Sequence, residues 1–256
     1  MTRLTPVDGI AVVTGAGSGL GRALALELAG QGLTVVGFGR RLAALEETQV
    51  KAGGRFHSRA LDVSAPDAVA QSFAAIEAEL GPVALLINCA AVYPHRDFLD
   101  ETPQSFMASV GVNLGGMVNC THAALQGMVA RGRGRIVNVA TFADIAPLPT
   151  ASAYAVSKGA ARVFTRALVA DLGDRFPGIV IGDWMPGMLR TEMGIPDGID
   201  PKIAAHWGAE LALRLDPDLN GAVFEQAIEL LPPRGIKARV RDRLLMRKVA
   251  QPRRLD

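Results

Sequence analysis

Apolar runs of strand length alternate with helical stretches along most of this chain, and no other feature restricts its fold so tightly. The runs fall at residues 9–14, 34–38, 56–61, 83–88, 135–140 and 179–184, and helical periodicity fills the intervals at 20–31, 42–52, 66–80, 103–131 and 151–175. Strands joined through a helix run parallel, and the crossover helices cover the sheet. The pattern predicts an α/β fold, a doubly wound parallel sheet with helices on both faces, built as a single domain over residues 1–256. Residues 222–228 are expected to add a last strand. In such a sheet ligands lie beyond the carboxyl ends of the strands, so the residues that follow each run are the ones to read for function.

The first run ends in TGAGSGLG, residues 14–21. Gly15, Gly17, Gly19 and Gly21 leave backbone amides open at the start of a helix, where unpaired N–H groups and the helix dipole suit a pyrophosphate. The spacing is not G-x-G-x-x-G, because Leu20 stands where the third glycine would be. Later in the chain the stretch 151–175 carries Tyr154 and Lys158, one helical turn apart on one face. An ammonium beside a phenol favours the phenolate. The pair therefore predicts a proton donor and acceptor whose pKa is drawn down from about 10 toward neutrality.

Composition excludes other classes. Hydrophobic residues make up 49% and charged residues 20%, which allows a large core and is too apolar for a disordered chain. Cys89 and Cys120 are the only cysteines and the four histidines are scattered, so no metal site is expected. No apolar run reaches the ~18 residues of a membrane span, and the N-terminus lacks the apolar core of a signal peptide. A cytoplasmic protein is expected. The net charge of +2 is unevenly placed: residues 236–256 hold eight Lys and Arg against two Asp, leaving the rest of the chain at −4. Within this basic tail, at about 235–256, Ile236, Val240, Leu244 and Val249 recur at helical spacing. The tail reads as a packing and assembly element, with neither nucleic acid nor membrane expected as a partner.

The T-G-x-x-x-G-x-G of residues 14–21, followed by Y-x-x-x-K at 154–158, resembles the short-chain dehydrogenase/reductase family. Further matches follow in chain order. Asp62 and Val63, after the third run, resemble the family's adenine-contacting segment. NCAA at 88–91, with Asn88 and Ala90, resembles its NNAG. VNLGG at 112–116 puts Asn113 where the family has a catalytic asparagine, and RIVNVAT at 135–141 resembles the strand that delivers the catalytic serine. Pro186, Gly187 and Thr191 match the P-G-x-x-x-T that holds the nicotinamide carboxamide.

The resemblance covers residues 9 to about 193 and implies a Rossmann-like fold, with a nicotinamide dinucleotide over the glycine loop and its intervening Ser18 and Leu20. It also implies roles. Tyr154 would protonate a carbonyl oxygen as hydride arrives, or take the proton back in oxidation. Lys158 would lower the Tyr154 pKa and bind the ribose, Thr141 would hold the carbonyl, and Asn113 would position a water. A homodimer or homotetramer, formed through the helices at 103–131 and 151–175, is the implied assembly.

Departures from the family pattern carry information as well. Thr141 replaces the serine 13 residues before the tyrosine; it keeps the hydroxyl, but its methyl narrows the pocket. Cys89 and Ala91 replace the second Asn and the Gly of NNAG. At the end of the second strand, where NAD-specific relatives carry an acid for the ribose 2′-hydroxyl, stands Gly39, followed by Arg40 and Arg41. Two guanidinium groups suit a 2′-phosphate, so NADP(H) is the expected cofactor, with NAD(H) possible. Tyr93 and His95 are expected beside the substrate, and the lining stretches 92–99, 142–150 and 188–199 are mainly apolar. These features favour a moderately hydrophobic carbonyl or alcohol. A dinucleotide-binding sensor or scaffold with little turnover is the alternative, given the altered NCAA and Thr141.

Overall fold

The computed structural model describes residues 2–232 and 251–255. Its strands are β1 (Ile10–Thr14), β2 (Val35–Gly39), β3 (Phe56–Ala60), β4 (Val83–Asn88), β5 (Gly134–Val139), β6 (Ile179–Met185), β7 (Val223–Glu225) and β8 (Ile228–Glu229). They form one sheet in the order β3-β2-β1-β4-β5-β6-β7-β8, parallel as far as β7, with β8 antiparallel at the edge. The helices are α1 (Gly19–Gly30), α2 (Leu42–Ala52), α3 (Pro66–Leu80), α4 (Pro103–Val110), α5 (Gly116–Arg131), α6 (Ser152–Leu172) and α7 (Pro201–Leu213).

Both faces of the sheet are buried, and the period of two in the strands decides which residue meets which layer. In β1, Ala11 and Val13 share a core with Leu24 and Leu28 of α1 and Ala209 of α7. Ile10 and Val12 point the other way, into a core with Phe73 and Ile76 of α3 and Met128 of α5. The sheet order reverses between β1 and β4, so the loops that leave these two strands diverge and open a cleft at their carboxyl ends.

Three elements depart from the sequence expectation. The stretch 103–131 is interrupted: Thr102 and Ser105 form a capping box on α4, and a π turn, Gly111–Gly115, separates α4 from α5. The last strand is a hairpin, in which Gln226 takes a φ of 50° between β7 and β8. A helix also follows the lining stretch 188–199, outside the intervals read as helical. In α7 the Asp200 carboxylate accepts from the Lys202 N–H at 2.9 Å and Pro201 takes the first position, the start signals of a helix whose buried face is mostly alanine and glycine. Its Gly208 lies so close to Leu24 and Trp184 that a Cβ there would clash with both.

Of the basic tail, residues 233–250, including the helical stripe proposed above, lie outside the described residues. The end of the tail lies on the sheet. Leu255 is fully buried in the α1/α7 core and its N–H donates to the Ala227 carbonyl at 2.9 Å, while the Arg253 carbonyl accepts from Glu229 N–H at 3.0 Å. The Arg253 guanidinium donates to the Glu229 carboxylate through Nε at 2.8 Å and pairs with Asp218 at 2.9 Å.

Candidate active site

A cleft of ≈ 980 Å³ spans the carboxyl ends of the parallel strands. Its floor at β1 is bare backbone. Gly15 (φ 73°) passes Ala90 so closely that a Cβ would lie 3.0 Å from its Cα, and a Cβ at Gly21 would collide with the Gly15 carbonyl. Arg22 stiffens this loop from behind, donating to the carbonyls of Gly17 at 2.6 Å and Ala44 at 3.1 Å. Thr14 Oγ1 accepts the N–H groups of Cys89 and Ala90, each at 2.9 Å, which locks the end of β1 to the end of β4. A side-chain-free cradle at the N-terminus of α1 fits the pyrophosphate of a dinucleotide.

The cleft gathers most of the residues singled out from the sequence. Gly15, Gly17, Ser18, Gly19, Leu20 and Gly21 line it, as do Arg40, Arg41, Asp62, Val63, Ala90, Thr141, Tyr154, Lys158, Pro186, Gly187 and Thr191. The Asp62 carboxylate caps its own turn, accepting from Ser64 N–H at 2.9 Å and Ser64 Oγ at 2.7 Å. Arg40 lies near enough to join Ser64 in holding the Asp62 pKa below its ordinary value.

Asn88 and Asn113 lie behind the wall instead. Asn88 is buried, and its amide nitrogen donates to Thr121 Oγ1 at 3.0 Å and Asn138 Oδ1 at 2.8 Å, so its side chain does not face the cofactor cleft. Asn113, in the π turn, grips the backbone of Val92: Oδ1 accepts from its N–H at 2.7 Å and Nδ2 donates to its carbonyl at 2.9 Å. The second amide hydrogen goes to Ser157 Oγ at 3.0 Å. Both amide hydrogens are thereby spent on protein, and the side chain acts as a clamp between the segment after β4 and α6.

The electrostatics of Tyr154 run opposite to the sequence expectation. Burial pushes its phenol up to about 12; the nearby Thr141 hydroxyl opposes the rise, and Tyr93 and Cys89 add to it. The Lys158 ammonium is itself buried and donates to the Val139 carbonyl at 2.8 Å. Burial lowers the Lys158 pKa, opposed by Cys89 and Asp183. The cost of desolvating a phenolate outweighs any help from this committed ammonium, so Tyr154 stays a protonated donor. Burial also raises the Cys89 thiol to about 11.

Two groupings escaped sequence reasoning. Asn88, Asn138 and Asp183 are in register across β4, β5 and β6, and they form one polar row with Thr121 and Thr165. Asn138 Nδ2 donates to Thr165 Oγ1 at 2.9 Å, which donates to Asp183 Oδ1 at 2.6 Å. The available signal was an Asn or Asp near the end of three successive apolar runs. The second grouping is a stack of rings: Tyr93 lies on Tyr154 with centroids 4.4 Å apart, and His95 lies on Tyr93 at 4.1 Å.

Comparison with known proteins agrees with this geometry. Residues 9–200 match the family model described as short chain dehydrogenase. The chain is 34% identical over 225 residues to the short-chain reductase protein NovJ of Streptomyces niveus, covering 86% of this chain and 79% of that one. It is 35% identical over 201 residues to galactitol 2-dehydrogenase (L-tagatose-forming) of Cereibacter sphaeroides, covering 77% and 78%. A metagenomic short-chain oxidoreductase solved in complex with NADP superimposes with a TM-score of 0.72 at 29% identity, over 81% of this chain and 91% of that one.

Proposed function

The chain belongs to the short-chain dehydrogenase family of NAD(P)-dependent oxidoreductases, and on that footing we propose that it is an NADP(H)-dependent enzyme that interconverts a carbonyl compound and an alcohol. The observation that carries this reading is the meeting of Thr141, Tyr154 and Lys158 in one cleft with the glycine loop. Thr141 and Tyr154 are then the two hydroxyls that face a substrate oxygen, one orienting it and one exchanging the proton. Lys158, fixed by the Val139 carbonyl, supplies buried positive charge beside them.

The bound nicotinamide supplies or accepts the hydride. Gly15, Gly17, Ser18, Gly19, Leu20 and Gly21 would hold its pyrophosphate, Asp62, Val63 and Ala90 its adenosine and adjoining ribose, and Pro186, Gly187 and Thr191 its carboxamide. Leu148, Met188, Met193 and Ile195 make the substrate side apolar, which supports a moderately hydrophobic substrate. Exposed Val156 and Val163 on α6, with Met107 on α4, support a homodimer or homotetramer through these helices.

The preference for NADP(H) rests on Gly39 with Arg40 and Arg41 at the cleft edge, and the NADP carried by the solved neighbour supports it. NADPH and NADH are compared on a carbonyl panel in wild type and Arg40→Ala. NADPH is expected to be preferred, with Arg40→Ala losing roughly 10- to 100-fold in NADPH affinity. Equal or better use of NADH by wild type would overturn the assignment.

A further inference from the structure

Three rings stand in contact at the substrate side of the cleft, and the chemistry above uses one of them. Tyr93 lies on Tyr154 with the ring planes 26° apart, a stacked pair that attracts beyond simple burial. The segment that bears Tyr93 is fixed at both ends. Asn113 grips Val92 on one side, and Arg96 N–H donates to the Thr150 carbonyl at 3.1 Å on the other. The same Asn113 amide donates to Ser157 Oγ, whose hydroxyl donates to the Tyr154 carbonyl at 2.8 Å. One side chain thus joins the backbone beside Tyr93 to the backbone of Tyr154 and holds the two rings face to face.

We propose that Tyr93 is a positioning residue for the proton donor: its ring fixes the orientation of the Tyr154 phenol and closes one face of it to water. The inference rests on the reading of Tyr154 as that donor. Other groups around the phenol are Thr141 from the end of β5, Cys89 from the end of β4, Lys158 from α6 and, beyond Tyr93, His95. Of these, Tyr93 is the group stacked on the ring. The protonated state of Tyr154 fits a phenol screened in this way.

The chain has two tyrosines, so every Tyr93 variant leaves Tyr154 as the sole phenol and its ionisation can be read directly by tyrosinate absorbance. Tyr93→Phe keeps the ring and Tyr93→Leu removes it; Tyr93→Met fills the space without a ring and serves if the Leu protein does not fold. At about pH 10.5, where a free phenol is roughly three-quarters ionised, folded Tyr93→Leu should show at least ~3-fold more tyrosinate than folded Tyr93→Phe. Circular dichroism confirms that both are folded. Turnover should stay within ~2-fold of wild type for Phe and fall ~10-fold or more for Leu, with NADPH affinity unchanged. Equal tyrosinate in the Phe and Leu proteins, or wild-type kcat and pH profile in Leu, would overturn the proposal. Turnover by Tyr154→Phe tests the separate reading of Tyr154 as the donor, and its persistence would remove that reading itself.

Discussion

Deleting residues 251–256 should destabilise the protein well beyond what six terminal residues ordinarily contribute. Leu255 is 0% exposed and belongs to the core shared by α1 and α7. Removing a buried Leu costs about 2–5 kcal/mol in lost transfer energy and cavity. Arg253 supplies three hydrogen bonds to the Glu229 carboxylate, which is 8% exposed. A buried acceptor left without partners adds about 1–3 kcal/mol. Together these lower the melting temperature by on the order of 10 °C or more for a chain of this size. The two parts separate by pH. Arg253 holds the Glu229 pKa below its ordinary 4.5, so this contribution is complete above that value and is lost as pH falls through the folded-state pKa. Thermal melts of the deletion, Leu255→Ala and Arg253→Ala at neutral and acid pH provide the assay: the Leu255→Ala loss should persist in acid and the Arg253→Ala loss should shrink. The effect should also reach the cleft. Gln226 N–H donates to the Met185 carbonyl at 2.7 Å, and its own carbonyl accepts from Trp184 Nε1 at 3.0 Å, tying the β7–β8 turn to β6, which leads directly into Pro186. Cofactor KM should therefore rise in the deletion. Melting temperatures within about 1 °C of wild type for all three proteins would refute the docking of the C-terminus on β8.

Tyr154→Phe should abolish turnover while leaving cofactor affinity within a few-fold, because it removes the proton and little else; kinetics paired with cofactor titration give both quantities. Thr141→Ser should remain active and Thr141→Val should fall by ~100-fold or more, since only the second removes the hydroxyl that shares the cleft with the phenol. Unchanged kcat in Thr141→Val would assign the orienting role to another group. Burial raises Asp183 from 3.8 to about 6, so the folded protein binds the extra proton between these values and loses stability as pH rises across that window. Asp183→Asn has no such titration. The stability difference between the two proteins should therefore move by about 2–3 kcal/mol in favour of the variant from about pH 4 to about pH 7 in denaturant melts, and a difference flat with pH would contradict it.

Much of the fold was legible because the central strands are buried on both faces. Such strands appear as short, uninterrupted apolar runs such as IAVVT and VALLIN, and the intervals between them are long enough only for helices. The glycine loop was legible for a related reason: where backbone passes backbone, as Gly15 passes Ala90, only one residue type fits. The elements missed are those whose cause lies elsewhere in the chain. α7 packs on the α1 core mainly through small residues such as Ala205, Gly208, Ala209 and Ala212, which mark a buried helix face less plainly than large apolar ones. The π turn within 103–131 is held in place by the partners of Asn113 on Val92 and Ser157, neither of them close in sequence.

The same distinction explains why the Tyr154–Lys158 spacing put both side chains in one cleft and yet mistook their electrostatics. A separation of four residues fixes which face of α6 two side chains share, but a pKa depends on what else covers that face. Here the Lys158 ammonium turns to the Val139 carbonyl of β5 and Tyr93, sixty-one positions upstream of Tyr154, lies over the phenol ring. Both partners are delivered by the sheet: Val139 ends the strand beside β4, and Tyr93 follows β4 through the segment that Asn113 clamps. A charge predicted from local spacing thus loses to desolvation imposed by residues that only the strand order brings together, and Tyr154 is held in its protonated form.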